Sequence, residues 1–302
     1  MKVGIVLPQG WMQEYRDRDP AEAWSQTVAA AQASERLGFE SVWLYDHFHT
    51  WPAPEDVPVF EPFVSLSALA ALTQRVRLGH IVICTGFRNP ALTAKMLATL
   101  DVVSGGRTEL GIGAGWKQEE WEAFGYDYPS TRERLATLGD HLEIITRMLD
   151  STTDDHASFE GRYARVAGAV NQPKPLQRPR IPVMVGGNGP QVTWRLAARY
   201  ADELNLDGMD PAAVAAALPV IRARCEEIDR DPDSLKLSVH TWYTDPAVSQ
   251  AGQQRVDLYG AYRELGLSRV QSYADGFADG LDALESFARD MRASGAELEP
   301  AD

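Results

Sequence analysis

The sequence predicts an α/β fold, a single (β/α)₈ TIM barrel spanning residues 1–302. Three observations lead there. Short apolar, β-branched runs alternate with helix-length amphipathic stretches almost from end to end, the pattern of βα units around a parallel sheet. A chain of 302 residues is one-domain size for a barrel. The first apolar run leads into Pro8-Gln9-Gly10-Trp11, which is not the glycine fingerprint of an open dinucleotide-binding sheet. A doubly wound open sheet is the structural rival.

Strand one is read at Val3–Leu7, with its helix at Glu22–Leu37 closed by Gly38 as a left-handed cap. Strand two is Ser41–Tyr45. A loop rich in proline and aromatics follows over Asp46–Pro62, then a helix over Phe63–Thr73. Strand three is Val76–Cys84, and Pro90, a favoured first-turn residue, opens the helix to Val103. Strand four, Thr108–Ile112, is followed by a short helix, Gln118–Phe124, and a long one, Thr131–Leu149. The rhythm breaks around residues 150–180, where Pro173, Pro175 and Pro179 mark a hairpin-like insertion and an extended arm. It resumes with strand five at Val183–Val185 and a helix over Gln191–Tyr200. Strand six is Glu203–Leu206 with a helix over Pro211–Ile228, and strand seven is Leu235–Trp242 with a helix over Gln250–Leu265. Strand eight, Arg269–Tyr273, and a helix over Leu281–Arg292 complete the set.

The formal net charge of −14 repels a phosphate backbone and argues against nucleic acid as a partner. No run of about 18 apolar residues is present, so no membrane span is expected. Cys84 and Cys225 are the two cysteines, too few for a disulfide framework. With Met1-Lys2-Val3-Gly4 reading as a strand and not as a signal peptide, a reducing cytoplasm is the expected setting.

Barrel chemistry lies at the carboxyl ends of the strands. There the sequence places Asp46-His47-Phe48-His49-Thr50-Trp51, Cys84-Thr85-Gly86-Phe87-Arg88, Gly113-Ala114-Gly115-Trp116 and Gly186-Gly187-Asn188-Gly189. A carboxylate next to an imidazole sets its protonation state, which suits Asp46 and His47 to proton transfer; the plainer reading is a pair that pins the loop. Gly186, Gly187, Asn188 and Gly189 form either a phosphate cradle of backbone N–H groups before a helix or a tight turn with an Asn cap. As a cradle, a side chain at Gly187 is expected to cost ligand affinity more than stability. The glycines of Gly111-Ile112-Gly113-Ala114-Gly115 leave room for a flat ring, or for close strand–helix packing. No metal site is evident.

Together these segments, with Val42-Trp43-Leu44-Tyr45, Leu78-Gly79-His80, Glu120 and Ala123-Phe124-Gly125, resemble the luciferase-like flavin and deazaflavin oxidoreductases, densely over residues 1–207. Asp46-His47-Phe48 with Trp51 is similar to the branch of deazaflavin (coenzyme F420)-dependent sugar-phosphate dehydrogenases. The resemblance implies Asp46 and His47 as catalytic residues. It implies cofactor contacts from Asp46, Trp51, Ile81, Val82, Cys84, Ala114, Gly115, Glu119, Gly186, Gly187, Asn188 and Gly189, a cis Ile81–Val82 peptide under the ring, and a homodimer. Trp116 stands where the sugar-phosphate enzymes carry a glutamate, and no basic set for a sugar phosphate is visible. The expected activity is F420-dependent hydride transfer to or from a small apolar or planar substrate. An FMN-dependent monooxygenase and a non-catalytic cofactor-binding barrel are the alternatives.

Overall fold

The computed structural model describes residues 1–299 apart from 243, 274, 275, 277 and 279. Eight parallel strand positions close into a barrel: β1 (Lys2–Val6), β2 (Ser41–Leu44), β3 (Arg77–His80) continued by β4 (Ile83–Cys84), β5 (Thr108–Gly113), β8 (Val183–Gly186), β9 (Glu203–Asp207), β10 (Lys236–Thr241) and β11 (Arg269–Ser272). β11 pairs with β1, and β3 and β4 both pair with β5, so the ring has no open edge. The open-sheet rival is thereby set aside. The stretch expected as one strand over Val76–Cys84 is two pieces, separated at the cis Ile81–Val82 peptide.

The helices are α1 (Pro20–Leu37), α2 (Pro62–Leu72), α3 (Pro90–Val103), α4 (Gln118–Ala123), α5 (Thr131–Leu149), α6 (Thr193–Tyr200), α7 (Pro211–Glu226), α8 (Pro246–Ser249), α9 (Gln253–Glu264) and α10 (Asp282–Ala293). Local chemistry sets their ends. Helix α1 starts two residues earlier than the periodicity suggests because Asp19 accepts from the N–H groups of Ala21 and Glu22 ahead of Pro20. Its exit is Gly38, at φ 91°. Asn89 caps α3 in the same way, and Ser130 with Glu133 forms a capping box on α5. The helix expected over Gln250–Leu265 is α9, which begins three residues later, and the short α8 precedes it as a separate turn.

The insertion is an antiparallel hairpin, β6 (Ala157–Glu160) and β7 (Arg165–Ala169), followed by an arm that runs to the amino end of the barrel. There the side chain of Gln177 donates to Asp101 and to the Thr108 carbonyl, and Asp101 accepts from the N–H groups of Leu176 and Gln177. The arm therefore leaves the opposite mouth open. Beside it, Arg269 is paired with Glu40, Glu109 and Glu203 at 3.0, 2.8 and 2.6 Å, a buried ionic plug at the floor. Removing one member would strand a buried charge. The strands' outer faces meet the helices in one continuous core that includes Val3, Leu78, Leu110, Val183, Leu204 and Val270.

Candidate active site

The carboxyl ends of the strands open on a cavity of about 440 Å³, within the size range of small-molecule sites. Its wall takes in Asp46, His47, Ile81, Val82, Cys84, Ala114, Gly115, Gly186, Gly187 and Gly189. Nine sequence-expected positions besides His47 thus meet at one mouth. Three others do not line it. Trp51 stands behind Trp11, the rings 6.4 Å apart, and of the two Trp11 reaches the cavity. Asn188 turns away and clasps the backbone of Asp207 through both its amide oxygen and its amide nitrogen. Glu119 faces outward on α4, while the adjacent Glu120 is buried and points in.

Glu120 is among the residues that carry the family resemblance, but the expected site took its neighbour Glu119 instead. Its signal is that Trp121 beside it is also buried, marking the inner face of the short helix α4. One carboxylate oxygen accepts from His47 Nδ1 at 2.7 Å; the other accepts from the N–H groups of Phe48 and His49 at 2.6 and 3.2 Å. Burial opposes the charge on Glu120, but the hydrogen bonds from His47, Phe48 and His49 prevail and hold its carboxyl below the usual range. A carboxylate only accepts, so His47 carries its proton on Nδ1 and leaves Nε2 as the acceptor. The His47 ring lies flat on Trp11, centroids 4.2 Å apart and planes 5° apart, and Trp116 meets it edge-on at 6.0 Å.

Asp46 is therefore not the carboxylate that sets the His47 tautomer, as adjacency in the chain suggested. It is buried and bound to Arg88 in a two-pronged pair at 2.7 and 2.9 Å, and it also accepts from the Cys84 N–H at 2.8 Å. That pair locks the end of β2 to the end of β4. Burial, then the Asp46 charge, pushes the Cys84 thiol up, so it stays neutral as a wall residue.

The floor is shaped by glycines. The Val82 side chain lies across the ends of β5 and β8, because a Cβ on Gly113 would stand 2.8 Å from Val82 Cγ2 and one on Gly186 would stand 3.0 Å from Cγ1. The glycine loop also differs from the sequence expectation. The Gly187 N–H is spent on the Asn205 carbonyl at 3.1 Å, and α6 begins only at Thr193. Helix α6 has no side-chain cap, and the N–H groups of Asn188 and Gly189 have no acceptor among the described residues. An anion-seeking donor set is thus present, but displaced toward Thr193, whose side chain also lines the cavity. Gly187 adopts φ +131°, which only glycine accepts readily, so a side chain there would strain the fold as well as the site.

The family described as luciferase-like monooxygenase matches residues 1–300. An F420-dependent glucose-6-phosphate dehydrogenase of Intrasporangium calvum is 33% identical over 261 residues, 78% of this chain and 74% of its own. A protein of the same description from Amycolatopsis mediterranei is 32% identical over 222 residues, 70% of this chain and 64% of its own. The solved structure of an F420-dependent secondary alcohol dehydrogenase in complex with an F420-acetone adduct superposes with a TM-score of 0.78 at 20% identity, covering 97% of this chain and 98% of that one. It shares the fold.

Proposed function

The chain belongs to the luciferase-like monooxygenase family, and we propose that it is an F420-dependent oxidoreductase acting on a small organic substrate. A bound deazaflavin supplies an obligate two-electron, hydride-exchanging carbon. The observation that carries the reading is His47: an imidazole at the cavity wall, its Nδ1–H committed to a buried, ionised Glu120, with Nε2 left to exchange a proton. Hydride exchange at a hydroxyl–carbonyl pair moves one proton at the substrate and one at the carrier, and His47 is placed to exchange one of them.

The residues fit a deazaflavin. Ile81 and Val82 with Gly113, Ala114 and Gly115 give a flat, side-chain-poor floor, and the N–H groups before α6 suit a phosphate on an otherwise acidic protein. Asp46, with Arg88 and Cys84, holds two strand ends in place at the ring's edge. Trp11, Trp116 and Trp242 wall the remaining space and favour an apolar or planar substrate over a sugar phosphate. A homodimer in a reducing cytoplasm is the setting of this proposal, and sedimentation measures its first half. Among the described residues, no helix is long and apolar enough to cross a membrane.

The test is anaerobic turnover of oxidised and reduced deazaflavin against alcohols, ketones and enones, with His47→Ala beside the wild type. The variant is expected to bind cofactor within a few-fold and to lose about 10²–10⁴ in turnover. Unchanged turnover removes His47 from the mechanism. Cofactor binding with no turnover across the panel favours a non-catalytic barrel.

A further inference from the structure

The mouth contains a second imidazole–carboxylate pair. His240 is the next-to-last residue of β10 and Asp207 ends β9, paired in register. His240 Nδ1 lies 3.0 Å from Asp207 Oδ1, which also accepts from Trp242 Nε1 at 2.9 Å. Burial opposes the Asp207 charge, but the hydrogen bonds from His240 and the Trp242 N–H keep its carboxyl below the usual range. An ionised carboxylate places the imidazole proton on Nδ1, so His240 Nε2 accepts. Its donor is the Tyr45 hydroxyl, 3.0 Å away, reaching from the end of β2. Tyr45, Asp207 and His240 all line the cavity that His47 lines. The Tyr45 ring is held parallel to Trp242, centroids 5.9 Å apart, and tilted against Trp11 at 4.6 Å.

We propose that Tyr45, His240 and Asp207 form a second acid–base unit of the site, and that it receives the proton of a substrate hydroxyl. This rests on the oxidoreductase reading above and deepens it to a hydroxyl-bearing substrate. The hydroxyl proton passes to the Tyr45 oxygen as the phenolic proton passes to His240 Nε2. Tyr45 is a phenol before and after, His240 ends as an imidazolium paired with the Asp207 carboxylate, and the substrate oxygen becomes a carbonyl. The carbinol hydrogen leaves with its electron pair to the oxidised deazaflavin, so charge and electrons balance. Tyr45 is the catalytic residue of the unit; His240 and Asp207 are positioning residues that act through it. Asn188, clasping Asp207, links the unit to the glycine loop.

The test has two arms. In the first, ring-¹⁵N histidine NMR of the full-length protein without cofactor reads the His240 tautomer. The expected result is Nδ1–H in the wild type and loss of that preference in Asp207→Ala, a change that a merely space-filling role would not produce. An Nε2–H tautomer in the wild type overturns the proposal. In the second arm, 2-propanol and cyclohexanol are the probes, with oxidised deazaflavin. Tyr45→Phe keeps the ring and is expected to lower kcat by about 100-fold or more at a cofactor Kd changed only a few-fold. A kcat within a few-fold of wild type, or no oxidation of either alcohol by a wild type that binds deazaflavin, overturns it. If the wild type binds no deazaflavin, the oxidoreductase reading itself has failed, while the tautomer still decides the hydrogen-bond polarity.

Discussion

Glu120→Gln is the sharpest single perturbation of the proton path through His47. The substitution keeps size and shape but replaces one acceptor oxygen with an NH₂ donor. In the wild type one carboxylate oxygen takes two backbone N–H groups, from Phe48 and His49, and the other takes His47 Nδ1–H. The two backbone donors cannot change, whereas the imidazole can. The amide oxygen therefore faces the backbone and the NH₂ faces His47, which must accept on Nδ1 and move its proton to Nε2. A His47 with Nε2–H is the wrong tautomer for a base, and the expected loss in kcat is about 10²–10⁴, with cofactor affinity within a few-fold. Stability changes less. Each of the three hydrogen bonds that Glu120 accepts is worth about 1 kcal/mol more to a charged than to a neutral acceptor, partly offset by relief of a buried charge, so a net loss of about 2 kcal/mol, or roughly 4 °C in Tm, follows. Because the Glu120 carboxyl sits below its ordinary range in the fold, its contribution is complete above that range and is lost as pH falls through its depressed value. The wild-type advantage should thus close in acid. Rapid-quench kinetics, thermal melts and ¹⁵N histidine NMR give the three readouts. A kcat within a few-fold of wild type, or a His47 tautomer still on Nδ1, refutes the reasoning.

Other perturbations separate site from scaffold. His80 is fully buried with neither ring nitrogen paired among the described residues, and burial, then the nearby Arg88 charge, lowers its pKa to about 3. The folded form resists a proton that the unfolded chain takes below about pH 6.5, so the wild type loses about 1.4 kcal/mol per pH unit there, about 2 kcal/mol by pH 5; His80→Leu should flatten this part of the acid-stability curve in urea titrations. Gly186→Ala puts a methyl 3.0 Å from Val82 Cγ1 at an ordinary φ, so deazaflavin affinity should fall about tenfold or more with little change in apo Tm. Gly187→Val, by contrast, should lower both, since its φ of +131° excludes β-branched side chains. Asp46→Asn takes one of two carboxylates from the Arg88 guanidinium, which keeps Glu61 at 2.8 Å, and a loss of about 1.5–3 kcal/mol in denaturant titration is expected.

Most of the barrel was legible because its signals are local. The 3.6- and 2-residue periods, Pro90 and Pro211 at helix starts and Gly38 at a helix end each act within a few residues. The mouth was legible as a set because strand ends are fixed once the strands are. What escaped was the partner of each polar group, which depends on residues far apart in the chain. His47 and Glu120 are 73 positions apart, and Tyr45 and His240 are 195 apart. Adjacency favoured Asp46 for the first role, but neighbouring residues on a strand end point to opposite sides, and Asp46 turned to Arg88. Glu119 and Glu120 show the same one-residue ambiguity on a helix, where a 100° step separates solvent from core. Asn188 read as part of a phosphate cradle, yet its short amide side chain found the Asp207 backbone instead.

The central claim is that the mouth between Asp46, Val82, Gly115 and the loop before α6 binds a deazaflavin. Equilibrium titration of the purified protein with F420 and, separately, with FMN tests it most directly. The account predicts saturable F420 binding at least about 100-fold tighter than FMN, a difference of about 2.7 kcal/mol, weakened by Gly186→Ala. Tight FMN binding with no measurable F420 binding would contradict it and return the chain to the flavin monooxygenase alternative.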